Sequence, residues 1–514
     1  MSAQWPPRLN WRASPQVAQQ LGLRLPPEPP EVTDAQYVRS VRRFRRSELL
    51  SLIAATAPDF SFNTADFSTD SRVTPWGLAD IARISLVFGT DFQRRSPTRH
   101  DLADLLQLHN DLNHPGLQEG GLDAVANMFL QLAFSQFPFQ RHIGPMAGRT
   151  LAILDQTQPA DPGRIQVLRG DWQNELLGCS LAEYIGVTQL LTAAAKPNNG
   201  QFDPAWMEAG PDRDVIAEVF NPAITRQVLR DHMTADIDSF RTRDTEQPSI
   251  DRRFTFNPLI ETPVVSGVGP NLLMPVPDYI NWKTTPSGLY FTGVRHWGER
   301  FSQDLGELFQ AYVGRQLQLI EGVQVHPEIP YQEGKSQRAS VDWIVVFPDL
   351  VLLVEVKSAR PTQALRSGAA GAAQALQRAF DKANRQLETT RDLIKAQRPE
   401  FSHIPSDRPI AGIVVTIEDF HLANSALHQP MYSPSTTLPT LAVCSDELEG
   451  IVVLGGHATQ AFLQEQLLRP SGEFANLRKA LSQHAPVENP ILAAGIDASP
   501  IARIKDVVEG GTTR

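Results

Sequence analysis

One stretch in the C-terminal half constrains this chain more than any other: VDWIVVFPDLVLLVEVK, residues 341–357. It consists of two apolar runs, rich in Val and Ile, on either side of a Pro-Asp pair. Runs of this kind that are separated by turn residues predict two buried β-strands joined as a hairpin. Outside the turn, its ionisable residues are Asp342, Glu355 and Lys357. Unpaired charge is costly among buried strands, so these three residues need an explanation.

The predicted hairpin brings the three ionisable residues together. If the strands pair directly around the turn, Asp342 lies opposite Glu355, with Cβ atoms roughly 5 Å apart. Lys357 is two residues beyond Glu355 and therefore lies on the same face. Pro348 excludes the type I′ turn usual in two-residue hairpins, because its ring fixes φ near about −65°. A four-residue loop keeps this register, whereas a three-residue loop shifts it by one residue.

Facing carboxylates on rigid strands favour a cation site. Asp342 and Glu355 would resist joint ionisation unless a cation lay between them. Oxygen ligands suit Mg²⁺ or Mn²⁺, which commonly complete their coordination with water and phosphate. Lys357 would stabilise negative charge that develops on a phosphoryl group. In the simpler alternative, the two acids lie at strand ends and Lys357 is only their salt-bridge partner.

Composition excludes several classes of protein. The 514 residues carry a formal charge of −10, which disfavours indiscriminate coating of nucleic acid. Residues 357–398 are an exception, with nine Lys or Arg against three Asp or Glu, which suggests a local site for an anionic ligand. Cys179 and Cys444 are too few for a disulfide framework or a four-thiolate zinc site. With no apolar stretch of membrane-spanning length and no apolar signal region, we expect a soluble, cytoplasmic protein without a membrane partner.

The sequence predicts an α+β or α/β protein with several regions. Its mostly helical N-terminal half contains apolar residues at helical spacing, and strands and helices alternate after it. The expected order in the later part is helix 300–320, strands 323–331, 339–347 and 350–357, helix 372–397 and strand 410–417. The expected regions are a proline-rich arm 1–33, a mostly α-helical domain 34–245, a β-hairpin or linker 246–294, a core 295–420 and a mixed C-terminal extension 421–514.

At these residues the sequence resembles the PD-(D/E)xK nuclease superfamily, whose restriction-endonuclease-like core has the order αβββαβ. Asp342 matches the acid of the second strand, and Glu355-Val356-Lys357 matches the ExK signature of the third. The resemblance covers roughly residues 295–420. Val341 stands where the family's first motif has proline.

The resemblance implies a set of site residues. Asp342, Glu355 and Lys357 would be catalytic, and Asp342, Glu355, the carbonyl of Val356 and Glu307 of the preceding helix would hold Mg²⁺ or Mn²⁺. Residues of the following helix would contact nucleic acid near the scissile phosphate, namely Lys382, Arg385 and Gln386. No QxxxY motif follows Gln386, which speaks against the RecB-like branch.

The function implied by the resemblance is metal-dependent endonucleolytic hydrolysis of phosphodiester bonds, with DNA favoured over RNA. By analogy at the level of the fold, such a chain would be a bacterial restriction or antiviral-defence effector. The helical N-terminal half would select the target, recruit a protein partner or a second copy of the chain, or restrain the nuclease. Two alternatives remain. One is an inactive nucleic-acid-binding or scaffold protein that retains the fold, and the other is a catalytic domain of another class within residues 1–290.

Overall fold

A computed structural model shows a mixed α/β protein that divides into two compact units. The first unit comprises Met1–Gly148, Asp171–Leu289 and Ile496–Arg514, and the second comprises Arg149–Gly170 and Tyr290–Gly495. The structure describes residues 32–60, 73–112, 139, 143–209, 217, 219–245, 255–358, 372–420, 423–425, 438–467, 475–500 and 502. The proline-rich arm therefore lies outside the described residues up to position 31.

The first unit is built mainly from helices. They are α1 Asp34–Val41, α2 Arg46–Thr56, α3 Pro75–Phe88, α4 Arg99–Asn110, α6 Trp172–Leu177, α7 Leu181–Ala195, α8 Trp206–Ala209, α9 Pro222–Val228, α10 Ile237–Thr245 and α11 Pro277–Trp282, while α5 Ile143–Leu154 and α12 Pro286–Trp297 cross into the second unit. Thr33, Thr98 and Ser180 form capping boxes, which satisfy the free amides at the starts of α1, α4 and α7. The buried core includes Leu49 and Ile53.

A small sheet accompanies these helices. Its two-residue strands are β1 Gln201–Phe202, β2 Thr234–Ala235, β3 Val264–Val265 and β4 Leu272–Leu273, in the order β1-β4-β3-β2. Val265 pairs with Leu273 in the antiparallel ladder of β3 and β4, inside the region where the sequence predicts a hairpin. Within the same region, α11 and the first residues of α12 follow, so its described part is not a simple hairpin.

The second unit contains the predicted helices, the predicted strand 350–357 and most of the predicted strand 410–417, but the predicted strand 323–331 is two strands, and the predicted strand 339–347 is interrupted at residues 340–342. The observed elements are helix α13 Glu299–Leu317, strands β5 Gln324–Pro327, β6 Pro330–Glu333, β7 Ser336–Ala339, β8 Trp343–Phe347 and β9 Leu350–Lys357, helix α14 Ala372–Lys395 and strand β10 Ile410–Thr416. The C-terminal part adds β11 Thr440–Cys444 and helices α15 Ser445–Ile451, α16 Gly456–Leu467, α17 Leu477–Leu481 and α18 Pro490–Asp497, the last of which ends in the first unit. Within the described residues, the region predicted as a mixed C-terminal extension contains these four helices and the single strand β11.

The central sheet of this unit has the strand order β11-β10-β9-β8-β5. Strands β9, β10 and β11 run parallel, and β5 and β8 complete the sheet by antiparallel pairing. Parallel strands that are covered on both faces are continuously apolar, as the burial of every residue of β10 illustrates. Lys357 and Thr416, the last residues of β9 and β10, are aligned, so the carboxyl ends of these strands meet at one edge.

The two long helices cover opposite faces of this sheet. Trp343 packs on α13, since a Cβ at Gly314 would lie only 2.1 Å from its Cζ2 atom, and its Nε1 donates to the carbonyl of Gln310 at 3.0 Å. On the other face, Leu387 of α14 lies against Gly412 of β10. Side chains alternate along a strand, so Glu355 and Lys357 point to the α14 side.

Residues 149–170 are tied into the second unit by buried polar groups. The Asp304 carboxylate of α13, fully buried, accepts the amides of Val167 at 2.6 Å and Leu168 at 2.8 Å. Arg149 Nε donates to Glu449 Oε1 at 2.6 Å, and Tyr312 Oη donates to the same oxygen at 2.6 Å. Buried charges with several charge-assisted hydrogen bonds are tolerated, and they fix the geometry of this segment.

Within the described part of the chain, no helix is both long enough and apolar enough to cross a membrane.

Candidate functional site

The central hairpin has the predicted register. Phe347 pairs with Leu350 across the two-residue turn, and Trp343 pairs with Val354 at the far end of β8. One further step in the same register sets Asp342 opposite Glu355. The tight turn at Pro348 therefore does not shift the ladder.

The Asp342 carboxylate lies at the point where β8 begins. Its Oδ2 atom accepts the backbone amide of Val356 at 2.7 Å. The side chain thus takes the place of a backbone acceptor where the regular ladder between β8 and β9 ends. This bond orients the carboxylate toward β9 and toward Glu355. The sequence did not predict the hydrogen bond between Asp342 and the Val356 amide.

Glu355 and Lys357 form a close pair on the α14 face of the sheet. Lys357 Nζ lies 2.5 Å from Glu355 Oε1, and it also donates to Gln386 Oε1 of α14 at 3.3 Å. Glu355 is 1% exposed, while the side chain of Lys357 is partly exposed. The lysine is therefore held between a strand carboxylate and a helix amide, with part of its surface still open to a ligand.

The electrostatics of this site disfavour two negative charges. Burial and the neighbouring Glu355 carboxylate raise the pKa of Asp342 from its ordinary value to about 7. Burial also raises the pKa of Glu355, although the Lys357 ammonium counteracts part of that effect. Two acids that resist joint ionisation are stabilised by a further cation.

One oxygen of the site lacks a hydrogen bond. Glu355 Oε2 is buried and has no hydrogen-bond partner among the described residues. A buried carboxylate oxygen without a donor is costly, and a divalent cation would remove that cost. The described residues contain no preformed group of three or more Asp, Glu, His or Cys side chains able to hold a metal ion. The side chains that fit a cation here are therefore the two carboxylates of Asp342 and Glu355.

Glu307 is not brought together with these two acids. It lies on α13, which covers the opposite face of the sheet, and its Oε1 atom pairs with Arg164 Nη2 at 2.8 Å. Burial raises its pKa, and the guanidinium of Arg164 acts against that rise.

Two basic candidates lie on the exposed side of α14. Lys382 and Arg385 are both exposed, one turn before and beside Gln386. Burial raises the pKa of Glu355, and the charge of Lys357 acts against that rise. The charge of Lys382 acts in the same direction as that of Lys357, but less strongly. Of the basic segment 357–398, residues 359–371 lie outside the described part of the chain.

Glu328 is an acid near the site that the sequence analysis did not single out. It follows β5 directly and is exposed. Its charge adds to burial and to Glu355 in raising the pKa of Asp342. The sequence suggests one unbroken strand over 323–331, so nothing in it distinguishes Glu328 from other edge residues. Pro327 could have indicated that the strand ends just before Glu328, because proline has no amide to donate to the ladder.

Comparisons with models of protein families, with curated proteins and with solved structures give no match to this chain.

Proposed function

We propose that this protein is a metal-dependent nuclease whose active site lies at the carboxyl end of β9. The observation that carries the proposal is the convergence of Asp342, Glu355 and Lys357, with Glu355 Oε2 lacking a hydrogen bond. The resemblance to the PD-(D/E)xK superfamily supports it. The order α13, β5, β8, β9, α14 and β10 also supports it, because it is αβββαβ once the separate β6–β7 hairpin is set aside. A structural salt bridge alone would not explain a second carboxylate facing the first.

Asp342 and Glu355 would hold Mg²⁺ or Mn²⁺, with the carbonyl oxygen of Val356 as a further ligand. The ion would polarise the scissile phosphate and make an attacking water more acidic. The Val356 amide keeps the Asp342 carboxylate oriented before the ion arrives, so little side-chain freedom is lost on binding.

Lys357 would stabilise negative charge on the phosphate during displacement. Its ammonium is held by Glu355 and Gln386, so it is oriented before substrate binds. We assign Lys357 an electrostatic role rather than that of a base, because its ammonium already donates to Glu355 and Gln386.

Exposed basic residues of α14 would contact the substrate backbone. Lys382 and Arg385 lie on the same helix as Gln386, and cationic side chains near the reacting phosphate supply affinity that is independent of base sequence. DNA is the proposed substrate. The first unit would select the target or restrain the nuclease, as in a bacterial restriction or antiviral-defence effector.

The proposal is tested by assaying cleavage of DNA and RNA by the full-length chain with Mg²⁺, with Mn²⁺ and with EDTA. Wild type should cleave DNA with either ion and lose activity in EDTA, and Glu355→Gln should be about 10²–10³-fold slower. Glu333→Gln, which alters an exposed acid of β6, is the matched control and should cleave like wild type. Nucleic-acid binding without cleavage under every metal condition would instead support the inactive scaffold.

A further inference from the structure

The strand pairing changes by one residue beside Asp342. Pro327 pairs with Trp343 in the ladder of β5 and β8. Two residues after the end of β5, the carbonyl of Ile329 accepts the amide of Ser340 at 3.0 Å. Pro330, the first residue of β6, then pairs with Ala339. Between the pairs Pro327–Trp343 and Pro330–Ala339, residues 340–342 therefore face residues 328–329. The segment that leads into β8 has one extra residue, as in a β-bulge.

Glu328 is the single residue opposite this extra position. On the other strand, Val341 and Asp342 together face it. Val341 is fully buried, and its amide donates to Thr390 Oγ1 of α14 at 3.1 Å, which fixes the bulge against the helix. Bulges commonly redirect side chains next to active sites. Continuation of the two registers sets Glu328 opposite Asp342 and Asp342 opposite Glu355. In addition to burial and Glu355, the charge of Glu328 raises the pKa of Asp342, and it also acts on Glu307 of α13.

We propose that Glu328 is a third carboxylate of the metal site and completes the cation's coordination from the edge strand. This inference rests on the proposed nuclease function. Glu328 is exposed at a strand end, so its side chain can reorient at small cost when a cation binds to Asp342 and the open Oε2 atom of Glu355. This reorientation is required, because the described residues contain no preformed group of three acids able to hold a metal ion. Three carboxylates would suit a hard divalent cation better than two.

Mn²⁺ binding to the metal-free, full-length chain tests this proposal without reference to turnover. The free Mn²⁺ signal is followed by electron paramagnetic resonance during titration of wild type, Glu328→Gln, Glu333→Gln and Asp342→Asn. Glu328→Gln should weaken Mn²⁺ binding about 10-fold. Glu333→Gln removes the same charge from the same hairpin beyond the bulge, and should stay within about twofold of wild type.

The outcomes separate this inference from the function on which it rests. If Glu328→Gln binds Mn²⁺ like wild type while Asp342→Asn loses binding, Glu328 is not a ligand and the two-carboxylate site stands. If Asp342→Asn also binds like wild type, the proposed metal site itself is wrong. Cleavage gives a second readout: Glu328→Gln should need about 10-fold more Mn²⁺ for half-maximal rate than Glu333→Gln.

Discussion

Replacing Lys357 by alanine is expected to lower the cleavage rate at saturating substrate about 10²–10³-fold, while Mn²⁺ binding stays at least as tight as in wild type. The ammonium is the only cation within hydrogen-bond distance of Glu355 among the described residues. Its removal takes away transition-state stabilisation, but it also removes a positive charge that competes with the metal. The cleavage rate should therefore fall, while Mn²⁺ affinity should stay the same or rise.

Lys335→Ala is the matched control, because Lys335 is an exposed lysine in the turn between β6 and β7. It should leave both the cleavage rate and Mn²⁺ affinity unchanged. If Lys357→Ala cleaves at the wild-type rate, the catalytic role proposed for this residue is wrong. Loss of Mn²⁺ binding together with activity would instead show that Lys357 holds the fold of the site.

Asp342→Asn is expected to abolish metal-dependent cleavage and, without metal, to stabilise the fold. The folded pKa of Asp342, about 7, lies above its ordinary value, so the folded chain retains a proton that the unfolded chain has released. The wild-type fold therefore loses stability as pH rises from about 4 through 7, and asparagine removes that loss. Asparagine can still accept the Val356 amide.

The gain should be about 4 kcal/mol at about pH 8 in EDTA, seen as a rise in Tm, and it should be small near about pH 4. Thermal unfolding followed by circular dichroism measures it. Asp349→Asn, in the exposed turn of the same hairpin, is the control and should show no such pH-dependent gain. A lower Tm for Asp342→Asn at both pH values would mean that Asp342 stabilises the metal-free fold, contrary to the electrostatics described above.

The sequence was most informative where local pattern and long-range pairing coincide. The hairpin of β8 and β9 joins adjacent segments, so turn length alone set its register, and alternation then placed Glu355 and Lys357 on one face. The two long helices, β9 and β10 followed from their hydrophobic periods, whereas the division of the predicted strand 323–331 into β5 and β6 and the pairing of β6 with β7 did not. These signals predicted that Asp342, Glu355 and Lys357 meet, but they left open a three-residue loop, which would have shifted the pairing by one residue.

Features that depend on distant parts of the chain could not be predicted in this way. Residues 149–170 join the second unit through Asp304, a buried acid that resembles any polar helix residue in the sequence. The position of Glu307 depends on which face of the sheet α13 covers, and periodicity does not specify that face. The bulge at Asp342 arises from pairing with β5, so neither it nor Glu328 was visible in the separate strand patterns.

The most direct test of the central claim is the position of Mn²⁺ in crystals of the full-length protein, measured by anomalous scattering. We expect a peak within about 2–2.5 Å of carboxylate oxygens from both Asp342 and Glu355. A protein that cleaves DNA with Mn²⁺ but binds the ion elsewhere, with these two carboxylates unoccupied, would contradict the central claim.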